Sequence, residues 1–416
     1  FTTLVIFDSP NLQQKIGEIW SKQFEKLYPK KDIPLKNKNK NKIKIGYYSA
    51  DFRNHATAHL TAEMFEAHDK SKFEIIGFYL GRNINYEDLW HSRIRNSFDK
   101  FFDVGDLTEA EISTLSVEEE IDIAVDLMAY CNNGMENKFG AFAAGCAPIQ
   151  VNFLGYPGTS GAKAIDYIIA DKKLIPKNCE KFYTEKIIYL PNSYQPNIKN
   201  TKIADTKLTK EKLGLPIDKF ILCCFNQHQK INPSMFDTWM KILKENSNCI
   251  LWLLEDNFYS CKNLLNEAEQ RGVDKNRIIF AKRLPLENHL ERIKFGDLFL
   301  DTFPYSAHTT CSDALRVGLP VLTLIGNSFA SRVASSLLNT VKLEELVTKN
   351  IDEYEMIANK IVNDTKYFKK IKNKLKENLC NSPLYDAQLF TKNLEQGYEK
   401  IFQNYKNNQT LKNFEI

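Results

Sequence analysis

A chain of 416 residues with 43% hydrophobic and 26% charged residues has a globular composition and more length than one simple core uses, so two domains are expected. Its net charge of +4 is local: residues 29–44 hold seven Lys and one Asp, which leaves the remainder slightly acidic and excludes a basic body built for nucleic acid. Nine cysteines with no C-x-x-C pair, three of them in apolar strand-like runs (Cys223, Cys224, Cys249), exclude a disulfide framework and a zinc site and point to buried, reduced thiols in a cytoplasmic protein; no apolar run approaches the ~20 residues that span a bilayer.

The first predicted element is a helix over residues 11–28, with Leu12, Ile16, Ile19, Trp20, Phe24 and Leu27 as an apolar stripe that must pack on something. The Lys/Asn-rich run that follows reads as a solvated linker. A regular α/β alternation begins at residue 43, with strands at Ile43–Tyr48, Phe73–Tyr79, Asp122–Leu127 and Gln150–Leu154, each short and apolar as parallel strands buried on both faces are. The pattern lapses at 192–216. A second series follows: "FILCCFN", "CILWLLE", "RIIF", "DLFLDT" and "PVLTL". Asn232-Pro233 opens a helix with an Asn cap and Pro in its first turn, and Met235, Phe236, Trp239, Met240 and Leu243 form its buried stripe. Residues 384–406 read as closing helices. The expected division is a helix and linker over 1–42, one α/β lobe over 43–195, a second over 196–382 and closing helices over 383–416. The fold class is α/β, with two Rossmann-like domains facing across a cleft. A start at Phe1 without Met is compatible with a fragment of a longer protein.

Four loops just past predicted strands carry candidate chemistry, because such folds bind ligands at the carboxyl ends of their strands. In "YYSADFRNHATAHL", Asp51, Asn54, His55 and His59 lie close together; a carboxylate beside an imidazole can serve as general base and orienter. The i, i+4 spacing of His55 and His59 also suits metal ligation, but no third ligand is evident. In "FLGYPGTSG", Gly155, Gly158 and Gly161 punctuate a loop that lets backbone approach a ligand, as an ordinary turn would too. "FNQHQKINP" places Asn226, Gln227, His228 and Lys230 before a helix; it reads equally as a polar loop or as a site where Lys230 neutralises a phosphate. In "AHTTCSDAL", His308, Thr309 and Thr310 precede a helix expected at 311–317. Free backbone N–H groups, two hydroxyls and an imidazole would all donate to an anion there, although a Thr cap alone has the same sequence. No Asp-x-Asp occurs, so a bound nucleotide's phosphates would rely on Lys230, Arg292 and this turn.

Taken in order, "GYYSADFRNHATAH", "GYPGTSG", "FNQHQKINP", "RIIF…ENHLER" and "AHTTCSDAL…GLPVLT" resemble the catalytic region of O-linked N-acetylglucosamine transferases and, more loosely, SPINDLY-type protein glycosyltransferases, from about residue 43 to 405. The resemblance implies a GT-B glycosyltransferase, inverting and without metal or other cofactor, that moves N-acetylglucosamine from UDP-N-acetylglucosamine to Ser or Thr of an acceptor protein or peptide. It implies that Lys230 and Gln227 contact the diphosphate. His308, Thr309 and Thr310 would form the pyrophosphate turn, Asp313 would contact ribose, and His289 and Arg292 would lie near the nucleotide. Asp51, Asn54 and His55 would serve the sugar and acceptor side, Gly155 would lie against the sugar, and Asp51, His55 and Lys230 would carry catalysis. Other readings of the same fold are a different donor (UDP-glucose or GDP-fucose), a sugar-nucleotide epimerase and a non-catalytic scaffold. The chain departs from the family in lacking a large insert between the lobes and a His in the helix upstream of the first strand. It also has Arg283-Leu284-Pro285-Leu286 on the nucleobase side, where the family has a Lys. Family members carry tetratricopeptide repeats upstream, so the first helix reads as the end of such an array.

Overall fold

The computed structural model describes residues 2–35, 41–82, 85, 87–131 and 136–416. Residues 36–40, at the centre of the expected Lys/Asn linker, lie outside the described residues. The chain divides into two compact units. One comprises residues 9–199 and 383–416, the other 2–8 and 200–382. The long helix of the 383–416 tail therefore belongs to the first unit.

The first unit is built on an eight-stranded, all-parallel sheet. Its strands are β1 (Ile43–Ser49), β2 (Phe73–Tyr79), β3 (Lys100–Asp103), β4 (Ile123–Asp126), β5 (Ile149–Asn152), β6 (Tyr167–Ala170), β7 (Lys186–Tyr189) and the short terminal β14 (Phe414–Glu415). They are ordered β3-β2-β1-β4-β5-β6-β7-β14. Helices cover its faces, which is why β4, β5 and β6 are buried at every position and carry no polar alternation. Helix α1 (Pro10–Leu27) opens this unit, α2 (Ala56–Glu66) follows β1, and the closing helix (Ala387–Lys406) packs back on the sheet. There Tyr398 joins Tyr47 in a buried hydroxyl contact of 3.2 Å, and Glu395 accepts from His68 Nδ1 at 2.9 Å.

Helix α1 is amphipathic, but only half of the predicted stripe packs: Leu12, Ile16 and Phe24 are half-buried, with Phe24 edge-on to Phe139 at 5.4 Å. Gln13, Gly17 and Ser21 are buried, whereas Ile19 (58% exposed), Trp20 (51%) and Leu27 (71%) face solvent. The reason is a close backbone approach. Gly17 sits so near the 160–161 loop that a Cβ there would lie 2.8 Å from the Ser160 carbonyl oxygen, and the Ser21 hydroxyl donates to the Gly161 carbonyl at 3.0 Å. Small residues bring the backbone of this helix close, and Phe24 packs beside them.

The second unit holds a six-stranded parallel sheet of β8 (Phe220–Cys224), β9 (Cys249–Leu254), β10 (Ile278–Ala281), β11 (Leu298–Leu300), β12 (Val321–Leu324) and β13 (Val347–Thr348). Its order is β10-β9-β8-β11-β12-β13. Helix α3 (Pro233–Glu245) starts where Asn232 accepts from the Met235 N–H at 2.9 Å, and it buries Met235, Phe236, Trp239, Met240 and Leu243. Helices α4 (Leu286–Ile293) and α5 (Thr309–Arg316) precede and follow β11. All nine thiols are free, and Cys223, Cys224 and Cys249 are buried.

Each sheet reverses its strand order once, between β1 and β4 in the first unit and between β8 and β11 in the second. In open parallel sheets, ligands bind beyond the carboxyl ends of the strands at such a reversal. The loops after β1 and β5 in one unit and after β8 and β11 in the other therefore occupy the positions where chemistry is expected.

Candidate active site

In the second unit, the chain leaving β8 runs through Asn226 and Gln227 into a short 3-10 turn, His228–Lys230. His228 is fixed at both ring nitrogens: Nε2 lies 2.6 Å from the Leu254 carbonyl, to which it donates, and Nδ1 lies 2.7 Å from the Ser260 hydroxyl. The turn delivers Lys230 to the loop after β11. There its Nζ donates to the Ser306 carbonyl at 3.1 Å and lies 3.9 Å from the centre of the Tyr305 ring. Burial pushes the Lys230 pKa down to about 8, with Asp301 opposing, so the ammonium is mostly charged at neutral pH. Gln227 is exposed, and its side-chain carbonyl accepts from Gln229 at 2.8 Å.

His308 caps α5 without a side-chain cap bond, and the helix begins at Thr309, two residues earlier than expected. The first N–H groups of a helix have no intrahelical acceptor and favour an anion. The hydroxyl and imidazole parts of the expected donor set are arranged differently. The Thr310 hydroxyl donates to the Asn226 side-chain oxygen at 2.5 Å. His308 stacks on Tyr305, and burial, with Lys230 adding, holds its pKa well below the usual range. The ring is neutral, with its proton on Nε2 directed to the Ala330 carbonyl at 3.2 Å. Nδ1 is then an acceptor, and His308 does not offer an anion a ring N–H. In this structure the anion donors of the turn are the backbone amides and Lys230.

Two further predicted residues meet on α4. Arg292 Nε donates to His289 Nδ1 at 3.1 Å while its Nη1 donates to the Lys282 carbonyl, and its guanidinium lies 5.2 Å from the Phe225 ring centre. Burial, with Arg292 adding, drives the His289 pKa down to about 3. His289 is therefore neutral with its proton on Nε2, a donor whose tautomer Arg292 enforces. Burial raises the Asp313 pKa to about 7.

In the first unit, β1 ends at Ser49 and its hydroxyl accepts from the Asp51 N–H at 2.9 Å. Asp51 is buried, and Arg53 bridges it (3.5 Å) to Glu136 (3.3 Å). His55 caps α2: its Nδ1 accepts the Thr57 N–H at 3.2 Å, and the Asp51 carboxylate stands 3.6 Å away, beyond hydrogen-bond reach. A ring whose Nδ1 accepts a backbone N–H carries its neutral-state proton on Nε2. In this arrangement His55 is a donor at Nε2. His59 points its Nε2 at the Asn54 side-chain oxygen, 2.9 Å away; burial lowers its pKa to about 4, and it packs on Trp90. The two i, i+4 histidines are thus engaged separately, one as a cap and one on Asn54. Among the described residues no cluster of three or more His, Cys, Asp or Glu side chains is arranged to hold a metal.

Gly155 is explained by packing. A Cβ there would lie 1.8 Å from the Leu127 carbonyl oxygen, in the turn that Asp126 fixes by accepting the Met128 and Ala129 N–H groups at 2.9 Å. The Gly158–Gly161 loop is anchored by Glu185, which sequence reasoning passed over. Its carboxylate accepts from the Thr159 hydroxyl (2.5 Å), the Ser160 N–H (2.7 Å) and the Ser160 hydroxyl (2.5 Å). Arg53, Glu136, Asp301 and Tyr305 were also missed as site residues. Only Asp301 had a signal, an acid closing an otherwise apolar strand.

Two Rossmann-like parallel sheets, each with polar loops at its strand-order reversal, define a GT-B glycosyltransferase fold. The same fold is seen in the solved structure of a mutant O-GlcNAc transferase from Thermobaculum terrenum, with a TM-score of 0.85 and 29% identity, covering 96% of this chain and 75% of that one. Glycosyl transferase family 41 matches residues 19–197 and 197–394, and the chain belongs to that family. One relative, from Arabidopsis thaliana, is named "Probable UDP-N-acetylglucosamine--peptide N-acetylglucosaminyltransferase SEC" and is 33% identical over 391 residues, 92% of this chain. A Solanum lycopersicum relative with the same enzyme name and the designation SPINDLY is 29% identical over 93% of this chain. The chain spans 40% and 42% of the length of these two relatives.

Proposed function

We propose that the protein transfers N-acetylglucosamine from UDP-N-acetylglucosamine to Ser or Thr hydroxyls of a protein or peptide, with inversion at the anomeric carbon and without a metal. One observation carries the reading: a fixed ammonium, Lys230, stands with the N-terminus of α5 at the strand-order reversal of the second unit's parallel sheet. The enzyme names of the two plant relatives and of the Thermobaculum terrenum protein support the choice of sugar and acceptor.

In this mechanism the acceptor hydroxyl attacks the anomeric carbon from the face opposite the diphosphate. Negative charge grows on the leaving diphosphate, and Lys230 and the amides of Thr309 and Thr310 offset it. Each such preorganised donor is worth ~3 kcal/mol in comparable sites. His289 Nε2–H, held by Arg292, serves the nucleotide, as do Gln227 and Asp313. Asp51 takes the acceptor's proton, Asn54 and His55 Nε2–H orient the sugar and acceptor, and Gly155 keeps the neighbouring loop close to the β4 end. The free thiols fit a reducing compartment, the cytoplasm. Among the described residues no helix is long and apolar enough to cross a membrane.

The test is donor selection. UDP-N-acetylglucosamine, UDP-glucose and GDP-fucose are titrated calorimetrically into the purified chain, and each is then offered with a Ser/Thr peptide library. The proposal predicts tightest binding and peptide labelling with UDP-N-acetylglucosamine. Labelling from GDP-fucose alone, or an epimerised sugar nucleotide without labelled peptide, contradicts it.

A further inference from the structure

We propose that the buried carboxylate of Asp301 is the positioning residue of this site, holding the loop that receives Lys230 and, through Asn226, the Thr310 hydroxyl in register for the donor's diphosphate. The inference rests on the reading of Lys230 given above and adds a residue to it.

Asp301 follows β11 at the strand-order reversal of the second sheet and is fully buried. Donors surround its side chain. One oxygen accepts from the Thr302 N–H (2.7 Å), the Ala307 N–H (2.6 Å) and the Asn226 side-chain amide (3.2 Å); the other accepts from the Thr323 hydroxyl (2.6 Å). The Thr302 and Ala307 bonds close the 302–307 loop on itself, and that loop carries the two groups Lys230 touches, the Tyr305 ring and the Ser306 carbonyl. Asn226, whose side-chain amide donates to Asp301 and to the Thr302 hydroxyl at 2.8 Å, accepts a hydrogen bond from the Thr310 hydroxyl at 2.5 Å. One carboxylate thus ties the ends of β8, β11 and β12 and the first turn of α5. An amide with its oxygen toward Thr302, Ala307 and Asn226 would keep those bonds, but it would turn the Thr323 hydroxyl from donor to acceptor and remove the charge.

The charge matters as well as the shape. The titratable groups facing Lys230 are Asp301 after β11, Cys224 at the end of β8, and His308 and Tyr305 in the loop. Among them Asp301 is the carboxylate: burial raises it to about 6, the Thr323, Ala307 and Thr302 donors and Lys230 oppose that, and it is charged at neutral pH. It is therefore the counter-charge that keeps Lys230 protonated in a buried setting before the diphosphate arrives.

The experiment compares wild type, Asp301→Asn, Thr323→Val and Lys230→Ala by melting temperature and by kcat/KM against pH, which reports ionisations of the free enzyme. We expect Asp301→Asn to fold, to lose at least ~10-fold in kcat/KM at pH 7, and to shift the alkaline limb of the profile down from about pH 8 by roughly one unit. A folded Asp301→Asn protein with wild-type kcat/KM overturns the proposal. So does a loss of activity with an unmoved alkaline limb, which makes Asp301 merely structural. If Asp301→Asn does not fold, Thr323→Val decides, because it removes one bond to the carboxylate while leaving Lys230 untouched. A several-fold fall supports the proposal, and a wild-type rate overturns it. If Lys230→Ala keeps wild-type turnover, the diphosphate reading fails and this inference with it. If Lys230→Ala is inactive while Asp301→Asn is normal, this inference alone fails.

Discussion

His55 and Asp51 make the most discriminating pair of substitutions, because the proposed mechanism gives them different work. His55 Nδ1 accepts the Thr57 N–H and so caps α2. Removing a cap of this kind costs about 1 kcal/mol, which for a unit of roughly 200 residues lowers Tm by about 2–4 °C. His55→Ala should show that loss and a fall in turnover of several-fold, from looser positioning of the acceptor. His55→Ser, which can cap but has no imidazole, should regain the melting temperature. Asp51→Asn keeps the shape of the loop and removes the proton acceptor, so turnover should fall ~10²–10⁴-fold with donor affinity within about threefold of wild type. The assay is initial-rate peptide glycosylation with saturating donor, alongside calorimetric donor binding and thermal melts. If His55→Ala and His55→Ser both lose as much turnover as Asp51→Asn while melting like wild type, the imidazole is the proton acceptor and the tautomer argument is wrong.

Four other outcomes are expected. Lys230→Ala should cost ~100-fold or more in kcat, since a fixed charge on the leaving group acts mainly in the transition state; near-normal turnover would remove it from the leaving-group role. Peptide glycosylation should survive excess EDTA, and loss on chelation restored by Mg²⁺ or Mn²⁺ would refute the metal-free mechanism. Gly17→Ala, which in an exposed helix would stabilise by ~1 kcal/mol, should instead lower the denaturation midpoint, because the new Cβ meets the Ser160 carbonyl; a raised midpoint would show that α1 is not seated by that contact. His59 is depressed to about 4, so its contribution to stability is present above the usual histidine pKa of 6.5 and is lost as pH falls through 4. His59→Gln, which keeps a donor for Asn54, should flatten the decline of Tm between pH 6.5 and 4, and an unchanged slope would contradict the assignment.

The residues that were legible in the sequence are those whose position follows from local rules. β1 and β2 are apolar runs because both faces of a parallel sheet are covered, and Asn232-Pro233 announces α3 through capping chemistry alone. The loops with Asp51, Lys230 and His308 stood out because polar residues cluster where buried strands end. What failed depended on tertiary contact. The stripe Ile19, Trp20 and Leu27 has helical periodicity, yet a backbone approach through Gly17 and Ser21 outweighed it. β3, with only "KFFD", is short and charged at both ends, so nothing local marks it as a strand. That His308 has its proton committed to Ala330, and that Glu185 holds Thr159 and Ser160 from 26 and 25 residues away, are long-range pairings with no local signature.

The central claim is tested most directly by the product. The purified chain is incubated with UDP-N-acetylglucosamine and a Ser/Thr peptide, and the peptide is analysed by fragment mass spectrometry and by NMR of the anomeric proton. The account predicts the mass of one N-acetylhexosamine on a Ser or Thr oxygen, in the β configuration, formed by wild type and at least ~100-fold more slowly by Lys230→Ala. An unmodified peptide, a sugar on another side chain, or an α-linked product would contradict it.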